Sequence, residues 1–159
     1  MGSAQQANKK ILMEFTKKQI DRYSRQIILK KVGVIGQKKL LKSSVLIVGA
    51  GGLGSPIAIY LAALGIGKIG IVDKDNVEIS NLSRQIIFET NDVNKNKSSA
   101  AISKLRKINP DIQLKSFNQN LTIININQIA KKFDLIVDGS DNFRTRFLIN
   151  DYCLKNKKI

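Results

Sequence analysis

Short apolar runs alternate along the chain with segments whose apolar positions recur every three or four residues. The first pattern predicts strands, at Ser44–Val48, Lys68–Val72, 112–117 and 134–137. The second pattern predicts helices, at 16–23, 37–42, 55–64, Lys97–Ile108, 126–132 and 143–155. Strands separated by helices are typical of an α/β fold with a doubly wound, mainly parallel sheet, here preceded by N-terminal helices.

One domain accounts for most of the chain. Its 159 residues, 43% hydrophobic and 25% charged, are enough for a single core. Residues 1–12 are expected to form a disordered leader, which leaves 13–159 as the folded domain. The uncharged stretch 43–67 is as long as a membrane span. Because glycines and Pro56 divide it into a strand, a turn and a helix, no membrane segment or membrane partner is predicted.

A glycine-rich turn stands between the first predicted strand and the next helix. Residues 49–54 read Gly-Ala-Gly-Gly-Leu-Gly, a G-x-G-x-x-G element in the strand-turn-helix context that this motif requires. Glycines let the backbone approach phosphate oxygens, and the N–H groups of the following helix attract their charge. Asp73 ends the next strand, near the spacing of about 20 residues for a carboxylate that binds ribose. A nucleotide site is therefore predicted on Gly49, Gly51, Gly52, Gly54 and Asp73.

Further polar residues are expected at this turn, because the carboxyl ends of parallel strands converge on one crevice. Taken singly, Arg84 and Lys97 are typical surface charges, and Asp141 is a typical N-cap of the last helix. Together they would place cations and a carboxylate able to bind Mg²⁺ around a polyphosphate. Phosphoryl chemistry needs such a cluster and hydride transfer does not.

The composition excludes several kinds of chemistry. The chain has no histidine, which removes Ser-His and Cys-His catalysis, and Cys153 is its single cysteine, so no disulfide or multi-cysteine metal site forms within it. A reducing cytoplasm fits this cysteine content. The net charge of +15 comes from lysines scattered in pairs along the chain. This scatter favours a solvated basic surface over a nucleic-acid site.

The motifs together resemble a known family, the ATP-dependent activators of ubiquitin-like proteins. Its bacterial members MoeB and ThiF adenylate the C-terminal glycine of small sulfur-carrier proteins. The resemblance covers residue 16 to the end of the chain. It rests on Arg-Tyr-Ser-Arg-Gln at 22–26, the glycine-rich turn, Ser-Asn-Leu-Ser-Arg-Gln at 80–85, Lys97 and Gly-Ser-Asp-Asn at 139–142.

The resemblance implies a Rossmann-like adenylation domain of ThiF type that uses ATP and Mg²⁺. It implies that Gly52 contacts the phosphates, that Asp73 binds the ribose, and that Asn81, Arg84 and Lys97 bind the triphosphate. Asp141 would hold Mg²⁺ or the reacting centre with Asn142 beside it, and Arg25 would reach into the partner's site in a homodimer. The implied nucleotide set also includes Ser80, Leu82 and Ser83, and the implied catalytic set is Arg25, Arg84, Lys97 and Asp141.

The resemblance also implies what lies beyond this sequence. In the family the domain continues, with two C-x-x-C pairs that bind structural zinc. Those cysteines are absent here, so this chain is expected to be the N-terminal portion and to be inactive alone. Cys153 is predicted to be a small core residue.

The expected partner is a ubiquitin-like sulfur carrier, MoaD-like or ThiS-like. The sequence around Asp141, with Thr145, Arg146, Asn150 and Asp151 after it, leans slightly to the molybdopterin branch. Two alternatives stay open from the residues alone, an NAD-dependent oxidoreductase and a non-catalytic nucleotide-binding module.

Overall fold

The computed structural model describes residues 15–159, so the predicted leader lies outside the described residues. Two helices, α1 and α2, precede an alternation of strands and helices. Two short 3-10 turns, Ile79–Asn81 and Thr90–Asp92, follow the second strand. The bounds are α1 Lys17–Ile27, α2 Gly33–Lys42, β1 Ser44–Val48, α3 Gly54–Leu64, β2 Lys68–Val72, α4 Lys97–Ile108, β3 Gln113–Phe117, α5 Ile126–Ala130, β4 Leu135–Asp138 and α6 Phe143–Asn156.

The two N-terminal helices are longer than their sequence pattern predicts. A capping box starts α1, in which the Thr16 hydroxyl accepts the Gln19 N–H and the Gln19 side chain accepts the Thr16 N–H. From there α1 continues to Ile27, past the predicted end at residue 23. Helix α2 begins at Gly33, before the predicted start at 37, and no side chain caps it. Its early glycines and missing cap residue hide this start from sequence analysis.

All four strands are parallel and form one sheet in the order β3-β2-β1-β4. In the register of β1, Ile47 lies beside Ile71 of β2 and Val137 of β4. The chain moves outward from β1 to β3 and then returns to the other side of β1. The predicted parallel α/β fold is confirmed, and the order of its strands reverses direction at β1. Ligands of open α/β sheets bind at such a switch point.

Alternate side chains of the strands build two cores, one on each face of the sheet. On one face Ile47, Ile69 and Ile71 pack with α3 and α4. On the other face Leu46 and Val48 pack with α5 and α6. Within the described residues, no helix is both long enough and apolar enough to cross a membrane.

Cys153 lies on α6 and is half-buried, packed against the second core. Cys153 therefore contacts the core as predicted, but it is only partly buried. The cause is its place near the end of α6, where Tyr152 takes the buried position and the flanking Leu154 is exposed. Burial raises the pKa of the Cys153 thiol, so it is a poor nucleophile at neutral pH.

Helix α1 is anchored to the sheet domain by the first half of the 22–26 motif. The Tyr23 side chain is fully buried, and its hydroxyl accepts a hydrogen bond of 2.9 Å from Asn109 Nδ2. Arg22 donates to the Ile108 carbonyl at 2.9 Å and faces Asp111. These contacts fix α1 against the C-terminal end of α4, whereas Arg25 of the same motif is exposed.

A buried carboxylate fixes the long connection between β2 and α4. Asp92 is 4% exposed and accepts bonds from the Glu89 N–H, from Lys104 Nζ at 3.1 Å and from Lys95 Nζ at 3.4 Å. Burial opposes ionisation of Asp92, but these donors outweigh it and lower its pKa. Since Lys104 belongs to α4, the ion pair ties the connection to that helix.

Replacing Asp92 with alanine is expected to lower the free energy of unfolding by about 2 to 3 kcal/mol at neutral pH. Because the fold lowers the pKa of Asp92, its stabilisation is present above the unfolded-state pKa and is lost as the pH falls through the folded-state pKa. Urea denaturation should therefore show a large wild-type advantage at neutral pH and a shrinking one at acid pH. Asp21→Ala, at an exposed site on α1, is the control and should behave as wild type.

Candidate functional site

A cavity of about 1400 Å³ opens at the carboxyl ends of β1, β2 and β4. Val48, Val72 and Gly139 mark these three strand ends in its wall. Loops that follow the strands supply the rest of the lining, including the glycine-rich turn. The cavity therefore occupies the crevice that the reversal of strand order creates.

The glycine-rich turn follows β1 at very close backbone distances. Gly49 has a φ of +92°, and its N–H donates to the Val72 carbonyl at 2.8 Å. A Cβ on Gly49 would lie 2.7 Å from the Gly139 carbonyl oxygen, and a Cβ on Gly54 would overlap the Gly49 carbonyl. No side chain caps the N-terminus of α3 after this turn. The turn thus presents an uncapped helix N-terminus to the cavity, which suits an anion.

Asp73 stands beside the turn at the end of β2. Its carboxylate accepts the Ala50 N–H at 2.8 Å and the Asp75 N–H at 2.9 Å. Burial raises the pKa of Asp73, although these two bonds and the charge of Lys97 oppose the rise. The side chain therefore braces the glycine-rich turn, a role that sequence analysis did not predict, while it lines the cavity.

One wall is lined by three polar side chains at and just after the end of the first 3-10 turn, namely Asn81, Arg84 and Gln85. The N–H groups of Arg84 and Gln85 both donate to the Asn81 carbonyl, which places the three residues on one side of a helical turn. Arg84 Nη1 donates to the Ser80 carbonyl at 3.0 Å. Its Cγ lies 3.7 Å from where a Cβ on Gly52 would be, so this wall adjoins the glycine-rich turn.

Lys97 begins α4 and is 8% exposed, yet it lines the cavity. Its Nζ lies 3.7 Å from Asp75 Oδ2, and its N–H donates to the Asp75 carbonyl at 2.8 Å. The Asp75 side chain is 57% exposed, so water solvates that carboxylate whether or not the lysine is present. The Lys97 charge is therefore held in the wall by burial and backbone geometry.

Asn96 fixes the start of α4. Its Oδ1 accepts the Ser99 N–H, which caps the helix. Its Nδ2 donates to the carbonyls of Asp73 and Asp75 and to the side chain of Asn118. One carboxamide thus joins the ends of β2 and β3 to the helix that carries Lys97.

Asp141 and Asn142 lie at the cavity beyond β4. Asn142, and not Asp141, caps α6, because its side chain accepts the Thr145 N–H at 2.9 Å. Within residues 15–159 the single hydrogen bond of the Asp141 side chain is a long one from Asn142, at 3.4 Å. Asp141 is also exposed, so its carboxylate is available to a cation.

The structure brings most of the predicted site residues to one cavity and leaves some outside it. The predicted residues that line it are Gly49, Gly51, Gly52, Asp73, Asn81, Arg84, Lys97, Asp141 and Asn142. Gly54 packs behind the turn, and Leu82 packs against the first core. Ser80, Ser83 and Arg25 are exposed elsewhere on the described surface.

Sequence analysis missed one wall of the cavity. Residues 119–124, which follow β3, line it, and so do residues 144–148 of α6. Leu121 is buried there, whereas Ile123 and Ile124 are 81% and 90% exposed. These residues could have been expected at the cavity from the convergence of parallel strand ends, because β3 also ends at this edge of the sheet.

Comparison with known proteins gives a family. Residues 23–159 match the ThiF family. The chain belongs to this family. A ThiF-type domain therefore spans nearly all of the described structure.

Among curated proteins, the chain is similar to a probable molybdopterin-synthase adenylyltransferase of Porphyra purpurea, with 51% identity over 87% of this chain and 36% of the relative. It is also similar to a sulfur carrier protein adenylyltransferase of Thermus thermophilus, with 47% identity over 87% of this chain and 51% of the relative. The chain thus spans about a third to a half of the length of these relatives.

Among solved structures, it is similar to the E. coli tRNA N6-threonylcarbamoyladenosine dehydratase TcdA in complex with ATP. The TM-score is 0.82 and the identity is 26%, over 90% of this chain and 58% of that one. This likeness agrees with the ThiF fold. The higher identities belong to the two adenylyltransferases.

If a nucleotide binds as the ThiF-type turn implies, Asp73→Ala should weaken it by about 1.5 to 3 kcal/mol, which is about 10- to 150-fold in Kd. The charged acceptor for ribose and the brace on Ala50 disappear together. Because burial raises the pKa of Asp73, wild-type affinity should fall on acidification at a higher pH than for an ordinary aspartate. Calorimetric titration of Mg·ATP across pH measures both effects, with Asp21→Ala as the control.

Proposed function

We propose that this chain is the nucleotide-binding part of an ATP-dependent adenylyltransferase that activates the C-terminal carboxylate of a ubiquitin-like sulfur carrier. One observation carries the proposal. The glycine-rich turn, the Asp73 carboxylate and the two cations Arg84 and Lys97 line one cavity together with the carboxylate of Asp141. The names of the two curated adenylyltransferases support the reaction class.

The nucleotide would lie across the carboxyl ends of the strands. Its phosphates would bind the N–H groups around Gly52, and its ribose would bind Asp73. The base would then reach the wall after β3, where Leu121 offers a buried apolar surface. The TcdA structure in complex with ATP shares this fold, which supports ATP as the nucleotide.

The reaction needs positioning and charge neutralisation more than it needs a base. The carrier's carboxylate is already ionised at neutral pH, so it attacks the α-phosphorus without general-base help. A bond forms between the carboxylate oxygen and the α-phosphorus, the bond from the α-phosphorus to the bridging oxygen breaks, and pyrophosphate leaves with its electron pair. Arg84 offers a planar fork and Lys97 a point charge to the oxygens on which charge accumulates.

The residues at Asp141 fit a magnesium ion. No group of three or more acidic, cysteine or histidine side chains that could hold a metal occurs in residues 15–159. Mg²⁺ bound to ATP usually keeps several waters and takes one or two carboxylates along with the phosphates. An exposed aspartate that does not cap its helix matches that ligand set, and bound Mg²⁺ would supply charge neutralisation to the leaving pyrophosphate.

Arg25 would act in a partner subunit of a homodimer. It is exposed, it is outside the cavity of its own subunit, and Tyr23 anchors its helix. The apolar side chains that follow it, Ile28 and Leu29, are 69% and 53% exposed. A dimer contact through this end of α1 would cover them, and it would direct Arg25 toward a second active site.

Between the two carrier types, the identity to the Porphyra relative supports the molybdopterin branch.

Two experiments test the proposal. Calorimetric titration with Mg·ATP and with NAD should show binding of ATP alone, and tighter binding of NAD would refute it. The second experiment tests the reaction with a chimera, in which this chain replaces the matched half of the Thermus relative. The chimera should catalyse ATP-pyrophosphate exchange that depends on a carrier ending in Gly-Gly. A folded chimera that binds ATP without catalysing this exchange would refute the adenylyltransferase activity, although it would support nucleotide binding.

A further inference from the structure

Gln85 has a carboxamide that the folded chain leaves without hydrogen bonds. The side chain is 4% exposed and lines the cavity. Its Oε1 is fully buried and has no partner among residues 15–159. No described residue accepts a hydrogen bond from its Nε2 either. An unsatisfied buried polar group costs about 1 to 3 kcal/mol, so a glutamine here requires an explanation.

The other two buried glutamines with an unpartnered Oε1 differ from Gln85. Gln26 and Gln37 do not line the cavity. The Nε2 of Gln37 is also engaged, because it donates to the Leu64 carbonyl at 2.9 Å and links α2 to α3. Gln85 alone of the three combines an unbonded carboxamide with a place in the cavity wall.

The orientation of the carboxamide indicates what it binds. Because Oε1 is enclosed by protein, the atom of the carboxamide that reaches the cavity is Nε2, whose –NH2 group carries two donors and no acceptor. Gln85 shares its helical turn with Asn81 and Arg84, and Arg84 lies over Gly52. A donor at this position faces the phosphate end of the cavity, and ionised phosphate oxygens only accept hydrogen bonds.

We propose that Gln85 is a further phosphate-binding residue, whose Nε2 donates to the polyphosphate of the bound nucleotide between the fork of Arg84 and the glycine-rich turn. This inference rests on the proposed function, since it requires ATP in the cavity. The bound phosphate satisfies Nε2, and it holds the carboxamide in one orientation. The nucleotide thus supplies the acceptor that the folded chain does not offer to Nε2, whereas Oε1 stays enclosed by protein without a partner among residues 15–159.

Two substitutions separate this role from others. Gln85→Met keeps the length of the side chain and removes the donor. Gln85→Glu keeps the shape and replaces the donor with a negative acceptor. We expect Gln85→Met to weaken Mg·ATP binding about tenfold and Gln85→Glu about 50-fold or more, since a carboxylate repels phosphate. Affinity for adenosine should change less than about twofold. Gln85→Met should melt no lower than wild type, because an unsatisfied buried group is removed.

The matched controls are Gln113→Met and Gln113→Glu, at an exposed site on β3 outside the cavity, and both should bind Mg·ATP as wild type. Calorimetry measures the affinities, and circular dichroism measures folding and melting. Unchanged Mg·ATP affinity in a folded Gln85→Met would overturn the inference. Equal or tighter binding by Gln85→Glu would also overturn it, because the ligand would then be a donor. A parallel loss of adenosine affinity would assign Gln85 a structural role. Failure of wild type to bind Mg·ATP would instead reject the proposed function.

Discussion

Lys97→Met is expected to weaken Mg·ATP binding by about 2 to 3 kcal/mol, which is about 30- to 150-fold in Kd, while the domain stays as stable as wild type. The lysine is 8% exposed and lines the cavity, so its charge would meet the phosphates with little water between them. The fold loses little, because the carboxylate of its ion-pair partner, Asp75, is 57% exposed and remains solvated. Methionine fills the same space without a buried charge.

The separation of binding from stability makes this result informative. Calorimetry with Mg·ATP and with adenosine should show a loss confined to the phosphorylated ligand. Lys107→Met, at an exposed position on the same helix and outside the cavity, controls for the change in net charge and should bind normally. If Lys97→Met unfolds the domain, the lysine has a structural role. If it binds Mg·ATP normally, the phosphates do not lie at α4.

Substitutions at two glycines of the glycine-rich turn should have different effects, one on stability and the other on Mg·ATP binding. Gly54→Ala is expected to lower the free energy of unfolding by more than about 3 kcal/mol, because its Cβ would overlap the Gly49 carbonyl oxygen. Gly52→Val should fold, since the nearest atom to a Cβ there is Arg84 Cγ at 3.7 Å. It should bind Mg·ATP at least about 100-fold more weakly, because the side chain occupies the space that the phosphates would approach.

Gly51→Ala is the matched control, because a Cβ on Gly51 meets no atom within 4 Å. Urea denaturation should place this variant near wild type and Gly54→Ala far below it. Calorimetry then compares Gly52→Val with wild type. Normal Mg·ATP affinity in a folded Gly52→Val would show that no phosphate approaches this face of the turn.

The sequence predicts the parallel sheet well because each strand carries its own signal. Strands β1 and β2 are buried on both sides and consist of short apolar runs, and their predicted bounds match the structure. Helix α4 also matches, since Asn96 caps its start and Asn109-Pro110 follows its end. In these elements local propensity and tertiary packing favour the same structure.

The site is only partly predictable, because side-chain contacts across elements leave no local pattern. The cavity position of Asp73 follows from spacing, but its bond to the Ala50 N–H requires the turn and the strand end to be placed together. The assignment of the cap to Asn142 in place of Asp141 depends on the backbone at the start of α6. Likewise Ser80 and Ser83 belong to the same motif as Asn81 and Arg84, yet their side of the turn faces away from the cavity.

Asn96 combines two duties that restrict which residues position 96 tolerates. Aspartate would retain the cap on Ser99, but its second oxygen would face the carbonyls of Asp73 and Asp75, which are acceptors as well. Serine would cap α4 without reaching those carbonyls, and the longer glutamine is a poor cap. Asparagine is therefore the side chain that supplies an acceptor and a donor at the required length. If every amino acid is tested at position 96, we expect asparagine alone to give a folded protein that binds nucleotide with wild-type affinity.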